Sequence, residues 1–208
     1  MDYLQQLTER YPQLIAVKEN INTAFNILSE SFANNGKLLI AGNGGSAADA
    51  EHIVGELMKG FVKNRKLPDS FITDIGKIDT GIADYITPRL RPALPAISLS
   101  GHNSLNTACI NDIDGNIIFA QQVYGYGKEG DVFLGISTSG NSKNILYAAG
   151  VARVKKMKVI ALTGAGGGKL TNLSDVSICV PETETWKIQE LHMPVYHCLC
   201  LMLEERFF

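Results

Sequence analysis

Ser137, Thr138, Ser139 and Ser142 place four hydroxyls within six residues, directly behind the apolar run Asp131-Val-Phe-Leu-Gly-Ile136. At a strand-to-helix junction, such a cluster adds hydroxyl donors to the free N–H groups of a helix start. It suits a phosphate monoester with no lysine required. Turns also favour Ser and Asn for conformational reasons, but this hydroxyl density after an apolar strand favours phosphate. A second loop, Gly42-Asn43-Gly44-Gly45-Ser46, follows Lys37-Leu-Leu-Ile-Ala41 and opens a helix-compatible stretch. Its glycines allow the backbone to approach an anion closely, and Ser46-Ala-Ala-Asp49 fits a loose capping box. Gly42-x-Gly44-x-x-Ala47 also matches a dinucleotide fingerprint. No acidic residue ends a second strand about twenty residues further on, so NAD is not expected. Gly164-Ala-Gly-Gly-Gly-Lys169 looks like a nucleotide loop but fails its spacing: Thr163 stands where the first glycine belongs, and Leu170 replaces the required Ser or Thr.

Two acid–base groups are visible. His52 and Glu56 lie four apart on the stretch after the glycine loop, about 40° apart around a helix axis. An imidazole and a carboxylate on one face can hold a divalent metal or share a proton transfer; a plain surface hydrogen bond is the commoner use. The second group is Gln189, Glu190, His192 and His197 near the C-terminus. By spacing alone Glu190 pairs with His197 better than Gln189 does, and a core histidine satisfied by a neighbour is the ordinary alternative for each. Pro194 lies among them and is expected to kink the helix. Spacing cannot bring the two groups together.

The elements that must position these residues follow from short apolar runs. Runs at 37–41, 96–100, 131–136, 158–162 and 176–180 read as strands, separated by helix-compatible stretches at 46–59, 103–123, 142–155 and 168–173, with another at 185–206. Short apolar strands alternating with helices predict an α/β fold with a parallel sheet covered on both faces. Ligands then sit beyond the carboxyl ends of the strands, where three of the five end in Gly/Ser/Thr-rich loops. After Tyr11-Pro12, apolar residues recur at Leu14, Val17, Ile21, Ala24, Leu28 and Phe32, the pattern of a long amphipathic helix. It either covers its own sheet or packs on a second subunit. Residues 62–95 show no clean period and hold four of the seven prolines; they read as an irregular insertion in a single domain covering 1–208.

At 208 residues, 45% hydrophobic and 19% charged, the chain supports one sizeable core. A formal net charge of -2 removes any compositional case for nucleic acid or an anionic membrane as the main partner. No signal peptide or membrane-length apolar run is visible. Cys109, Cys179, Cys198 and Cys200 form no Cys-x-x-Cys pair and fit a reducing cytoplasm.

Taken together, the motifs are familiar. Ala41-Gly-Asn-Gly-Gly-Ser-Ala-Ala-Asp-Ala-Glu-His52-Ile-Val-Gly-Glu56 resembles the opening of sugar isomerase (SIS) domain proteins, most narrowly the phosphoheptose isomerases. Asn111-Asp112, Gly135-Ile-Ser-Thr-Ser-Gly-Asn-Ser142, Leu162 to Leu170 and Ile188 to His197 match in the same order. The resemblance implies a three-layer, flavodoxin-like sandwich on a five-stranded parallel sheet, and a homotetramer with sites at subunit interfaces. It implies interconversion of sedoheptulose 7-phosphate and D-glycero-D-manno-heptose 7-phosphate. Ser137, Thr138, Ser139 and Ser142 would hold the phosphate of this seven-carbon sugar. Asn43, Gly44, Gly45 and Ser46 would line the sugar, with Asn111, Asp112 and Gln189. One zinc ion per subunit would sit on His52, Glu56, Gln189 and His197. Glu56 would be the base at carbon, His197 its acid–base partner, and Asp112 an aid to ring opening. The insertion and Pro194 depart from the family pattern and leave a different ketose or aldose phosphate open as substrate. The rival readings are a non-catalytic SIS protein of the type that associates with the bacterial replication initiator, or a sugar-phosphate sensor. A pure scaffold has no need of Glu56 and His197, and both are present.

Overall fold

Five short strands, β1 Leu38–Ala41, β2 Ala96–Ser98, β3 Val132–Ile136, β4 Lys158–Thr163 and β5 Val176–Cys179, form one sheet in the order β2-β1-β3-β4-β5. Every pairing is parallel. These are the strands the apolar runs predict, in flavodoxin-like order. The computed structural model describes residues 2–208.

Alternate strand residues feed two separate cores, as the period of two demands. Leu38, Ile40, Val132, Leu134, Ile136, Ile160 and Leu162 face one layer; Leu39, Ala41, Phe133, Val159 and Ala161 face the other. The first layer comprises α1 Tyr3–Arg10, α2 Lys18–Ala33, α3 Gly45–Lys59 and α9 Thr185–Phe207. On the other side, α7 Ile118–Tyr126 and α8 Lys143–Val154 pack with a 3-10 turn at Lys169–Leu173. Leu39, Ile40, Phe133 and Ile136 are wholly buried, each a gain of about 1.5–3 kcal/mol over exposure.

The N-terminal stripe is buried throughout, from Leu14 to Phe32, but not on one continuous α-helix. Pro12–Val17 is 3-10 and α2 begins at Lys18. The stripe packs into its own chain's core with β5 and α9, so covering its own sheet accounts for this face. The stretch 103–123 likewise breaks into α6 Asn103–Asp112 and α7. Between them Asp114 accepts from Asn116 N at 2.7 Å and starts a 3-10 turn at Gly115–Ile117. Helix α9 runs on across Pro194, losing the one hydrogen bond proline cannot donate.

The insertion is less irregular than its sequence suggests. It contains α4 Asp69–Ile78 and α5 Thr80–Ile86, neither with a buried residue. Phe71, Ile72, Ile75 and Ile78 do fall at helical spacing, but interspersed glycines and flanking prolines obscure the pattern. A buried ion pair pins its base. Glu204 of α9 accepts from Phe61 N and Val62 N at 2.8 Å, Lys63 N at 3.0 Å and Arg65 Nε at 2.9 Å. Arg65 in turn donates to the carbonyls of Glu56, Leu57 and Pro92. Both ends of the insertion are thus tied to the end of α3.

Candidate active site

The order reverses between β1 and β3, and the loops beyond these two strands are the glycine loop and the hydroxyl loop. They frame a cleft of about 330 Å3 lined by Asn43, Gly44, Gly45, Ser46, Ser137, Thr138, Ser142, Thr185 and Gln189. Ser137 is buried, and its Oγ lies 3.1 Å from Ser142 Oγ. Ser139 points elsewhere: it is exposed, and its Oγ accepts from Asn141 N at 3.2 Å within the loop's own turn. Gly44 adopts φ +56 as the N-cap of α3. That conformation corrects the capping box: Ser46 lies inside the helix, no side chain caps it, and Asp49 turns towards α9.

The third glycine run has a packing role. A Cβ on Gly140, which holds φ +63, would come within 1.8 Å of Gly167 O; one on Gly168 would meet Ser139 O at 2.4 Å. The 164–169 loop is glycine-rich because it interlocks with the hydroxyl loop, so its likeness to a nucleotide loop is accidental. At the edge of the glycine loop, Asn43 and Asn144 exchange amide hydrogen bonds at 3.0 and 2.8 Å. Sequence reasoning missed Thr185, which lines the cleft from the start of α9, and Asn144, which meets Asn43 from the start of α8.

Tertiary packing does what spacing could not: it sets α9 against α3. His52 Nε2 lies 3.2 Å from Glu56 Oε1 and 3.4 Å from His197 Nε2. Glu56 is mostly buried, and its other oxygen takes an ion pair from Lys59 Nζ at 3.0 Å. Burial and the neighbouring His52 hold the His197 imidazole below its ordinary value, against the opposing pull of Glu56. His192 is a core histidine, wholly buried and pushed down to about 4 by that burial. The Gln189 and Glu190 alternatives separate cleanly. Gln189 lines the cleft, where its amide closes over Gly45, whereas Glu190 shares with His197 a hollow of about 410 Å3 facing α1. Asn111 and Asp112 stand apart at the end of α6, exposed and bonded to each other at 2.7 Å.

A metal would find a suitable donor set. Two imidazole nitrogens and a carboxylate suit zinc, and tetrahedral ligands at about 2.0–2.1 Å lie about 3.3–3.4 Å from one another. The two approaches to His52, at 3.2 and 3.4 Å, match that edge. Among the described residues, however, no three His, Cys, Asp or Glu groups already surround a common point. Gln189 lies with the cleft residues. A larger hollow of about 560 Å3, lined by Asp2, Tyr3, Leu4, Phe25, Met202, Glu205 and Arg206, contains no histidine.

The SIS domain family model matches residues 2–86 and 82–164, and the flavodoxin-like sheet with a hydroxyl-lined cleft at its switch point agrees with that class. A phosphoheptose isomerase of Leptospira biflexa is 38% identical over 91% of this chain and 85% of its own length. Among solved structures, phosphoheptose isomerases from Neisseria gonorrhoeae and Francisella tularensis are 33% and 32% identical, with TM-scores of 0.74 and 0.75. The alignments cover 97% and 98% of this chain, and 91% and 95% of theirs. The chain belongs to the phosphoheptose isomerase family of SIS-domain proteins.

Proposed function

We infer that this protein is an aldose–ketose isomerase, an intramolecular oxidoreductase that converts sedoheptulose 7-phosphate to D-glycero-D-manno-heptose 7-phosphate through a cis-enediol. One observation carries the reading: in a chain of this family, Glu56, His52 and His197 meet on α3 and α9 while Ser137, Thr138 and Ser142 line a cleft at the start of α3. That separation suits a substrate with its phosphate at one end and its reacting carbons at the other.

The chemistry assigns work to each group. Glu56 takes a proton from C1 of the ketose; His197 supplies a proton to O2 and accepts the one leaving O1; Glu56 then returns its proton to C2. The two Glu56 oxygens already face different partners, His52 and Lys59, which supports one oxygen working at carbon while the other stays with the histidines. The exposed Lys59 yields easily, since such ion pairs contribute little. Zinc, one ion per subunit, belongs to the same reading: His52, Glu56 and His197 would hold it, with Gln189 as the fourth ligand that the resemblance implies. Bound there, it would polarise the carbonyl and hydroxyl oxygens and offset enediolate charge.

Homotetrameric assembly is part of the proposal. Asn111 and Asp112 would then serve a neighbouring chain's site, with Asp112 assisting ring opening. No helix among the described residues is long and apolar enough to cross a membrane, and four free cysteines support a cytoplasmic setting. Nothing in the site favours a non-catalytic scaffold or sensor.

NMR of the purified protein with sedoheptulose 7-phosphate, with zinc and with chelator, tests the reading. An aldoheptose 7-phosphate should appear, and Glu56→Gln should slow its formation about 10²- to 10⁴-fold while the fold persists. Loss with chelator supports the metal. No product from folded, zinc-loaded protein rejects this substrate.

A further inference from the structure

The Tyr196 hydroxyl is buried between α3 and α9, 3.2 Å from Asp49 Oδ1 and 3.1 Å from His52 Nδ1. Its ring packs edge-on against His52, with centroids 5.4 Å apart, and against His197 at 5.0 Å. Asp49 is itself buried and its Oδ2 has no partner. Asp49 and His52 lie three apart on α3, and Tyr196 adjoins His197 on α9. The phenol therefore links a buried carboxylate to the back of an imidazole whose front faces Glu56 and His197.

We propose that Tyr196 and Asp49 are positioning residues that fix the His52 tautomer with its proton on Nδ1. A phenol has one proton to donate, and an ionised carboxylate can only accept; burial raises the Asp49 carboxyl, and the hydrogen bond from Tyr196 opposes that by favouring the ionised form. Asp49 therefore claims the Tyr196 proton, and the phenol oxygen is left to accept from His52 Nδ1–H. The consequence falls on the other nitrogen: Nε2 carries a lone pair directed at the Glu56–His197 cluster, free to take a proton or bind a cation. The competing tautomer would put the proton on Nε2, where it would donate to Glu56 Oε1 at 3.2 Å. That hydrogen bond would occupy both the imidazole and one oxygen of the base. Outer partners that orient a histidine in this way commonly alter metal affinity or activity 10- to 100-fold when removed.

The importance of the tautomer for turnover rests on the isomerase reading; the tautomer itself does not. Long-range ¹H–¹⁵N NMR of histidine-labelled, metal-free protein separates the two tautomers without substrate. His52 is assigned by the signal that disappears in His52→Gln. The wild type should show His52 protonated at Nδ1. Tyr196→Phe should shift it wholly or partly to Nε2–H. Asp49→Ala should do the same with the tyrosine intact, because the freed phenol then donates to Nδ1; Asp49→Asn, which keeps an acceptor oxygen, should preserve the Nδ1–H form. Zinc affinity, measured by competition with a chelating dye, should fall 10- to 100-fold in Tyr196→Phe. Wild-type His52 protonated at Nε2, or an Nδ1–H signal unmoved in both Tyr196→Phe and Asp49→Ala, overturns the proposal. If the tautomer behaves as expected and sedoheptulose 7-phosphate is not turned over, only the isomerase reading fails.

Discussion

Glu204 offers a sharp test of how the insertion is held. Its carboxylate is 1% exposed, and its partner Arg65 0%. Replacing Glu204 with Ala removes the acceptor for three backbone N–H groups and leaves a buried guanidinium with no counter-charge. Breaking a buried pair in this way costs about 3–5 kcal/mol. For a chain of 150–250 residues each kcal/mol shifts Tm by about 2–4 °C, so the drop should be about 6–20 °C. Glu204→Gln keeps an acceptor and should lose less. Burial alone would raise the Glu204 carboxyl, but the three backbone hydrogen bonds and Arg65 outweigh it and hold it below its ordinary 4.5. A depressed folded-state value contributes stability above the unfolded value, lost as pH falls through the folded one. The gap between wild type and Glu204→Gln should therefore be full at pH 7 and close on acidification below about 4.5. Thermal and urea unfolding followed by circular dichroism, at fixed protein concentration and several pH values, measure the Tm change and the gap; proteolysis within 62–95 should accelerate in parallel. A Tm change under about 2 °C for Glu204→Ala at pH 7, or a gap independent of pH, would refute the reasoning.

Two further substitutions test the cleft. Ser142→Ala and Ser137→Ala each remove a hydroxyl proposed to meet an anion, an interaction of about 1.5–3 kcal/mol; KM for the sugar phosphate should rise about 10- to 100-fold with kcat changed far less, and equal losses in both would point to a structural effect. Gly140→Ala forces a Cβ to within 1.8 Å of a backbone carbonyl and should unfold the loop or lower Tm by about 10 °C or more. Gly130→Ala, also at positive φ but with nothing within 4 Å, is the control and should cost only about 1–2 kcal/mol.

The five strands were legible because each is a short apolar run ended by glycine or hydroxyl residues, and parallel strands buried on both faces must read that way. The hydroxyl and glycine loops were legible for the same local reason. Helix ends were less so: Gly44 at positive φ displaced an otherwise reasonable capping box, and Asp114-Gly115 cut a stretch that had read as one helix. The insertion helices were obscured because they bury nothing, so no core imposed a sharp apolar period on them.

By itself, the sequence determined the strands, the two ligand loops and the chemical types of the acid–base residues, since these depend on neighbours within a turn or two. Only the tertiary structure decided how they combine. Packing α9 against α3 brings residues about 140 positions apart within hydrogen-bond reach of His52, sends Gln189 to the cleft and Glu190 to another hollow, and buries His192 in the core. It also joins Asp49 to Tyr196, and Arg65 to Glu204. Such contacts are set by the approach of two helices across a shared core, which no local spacing encodes.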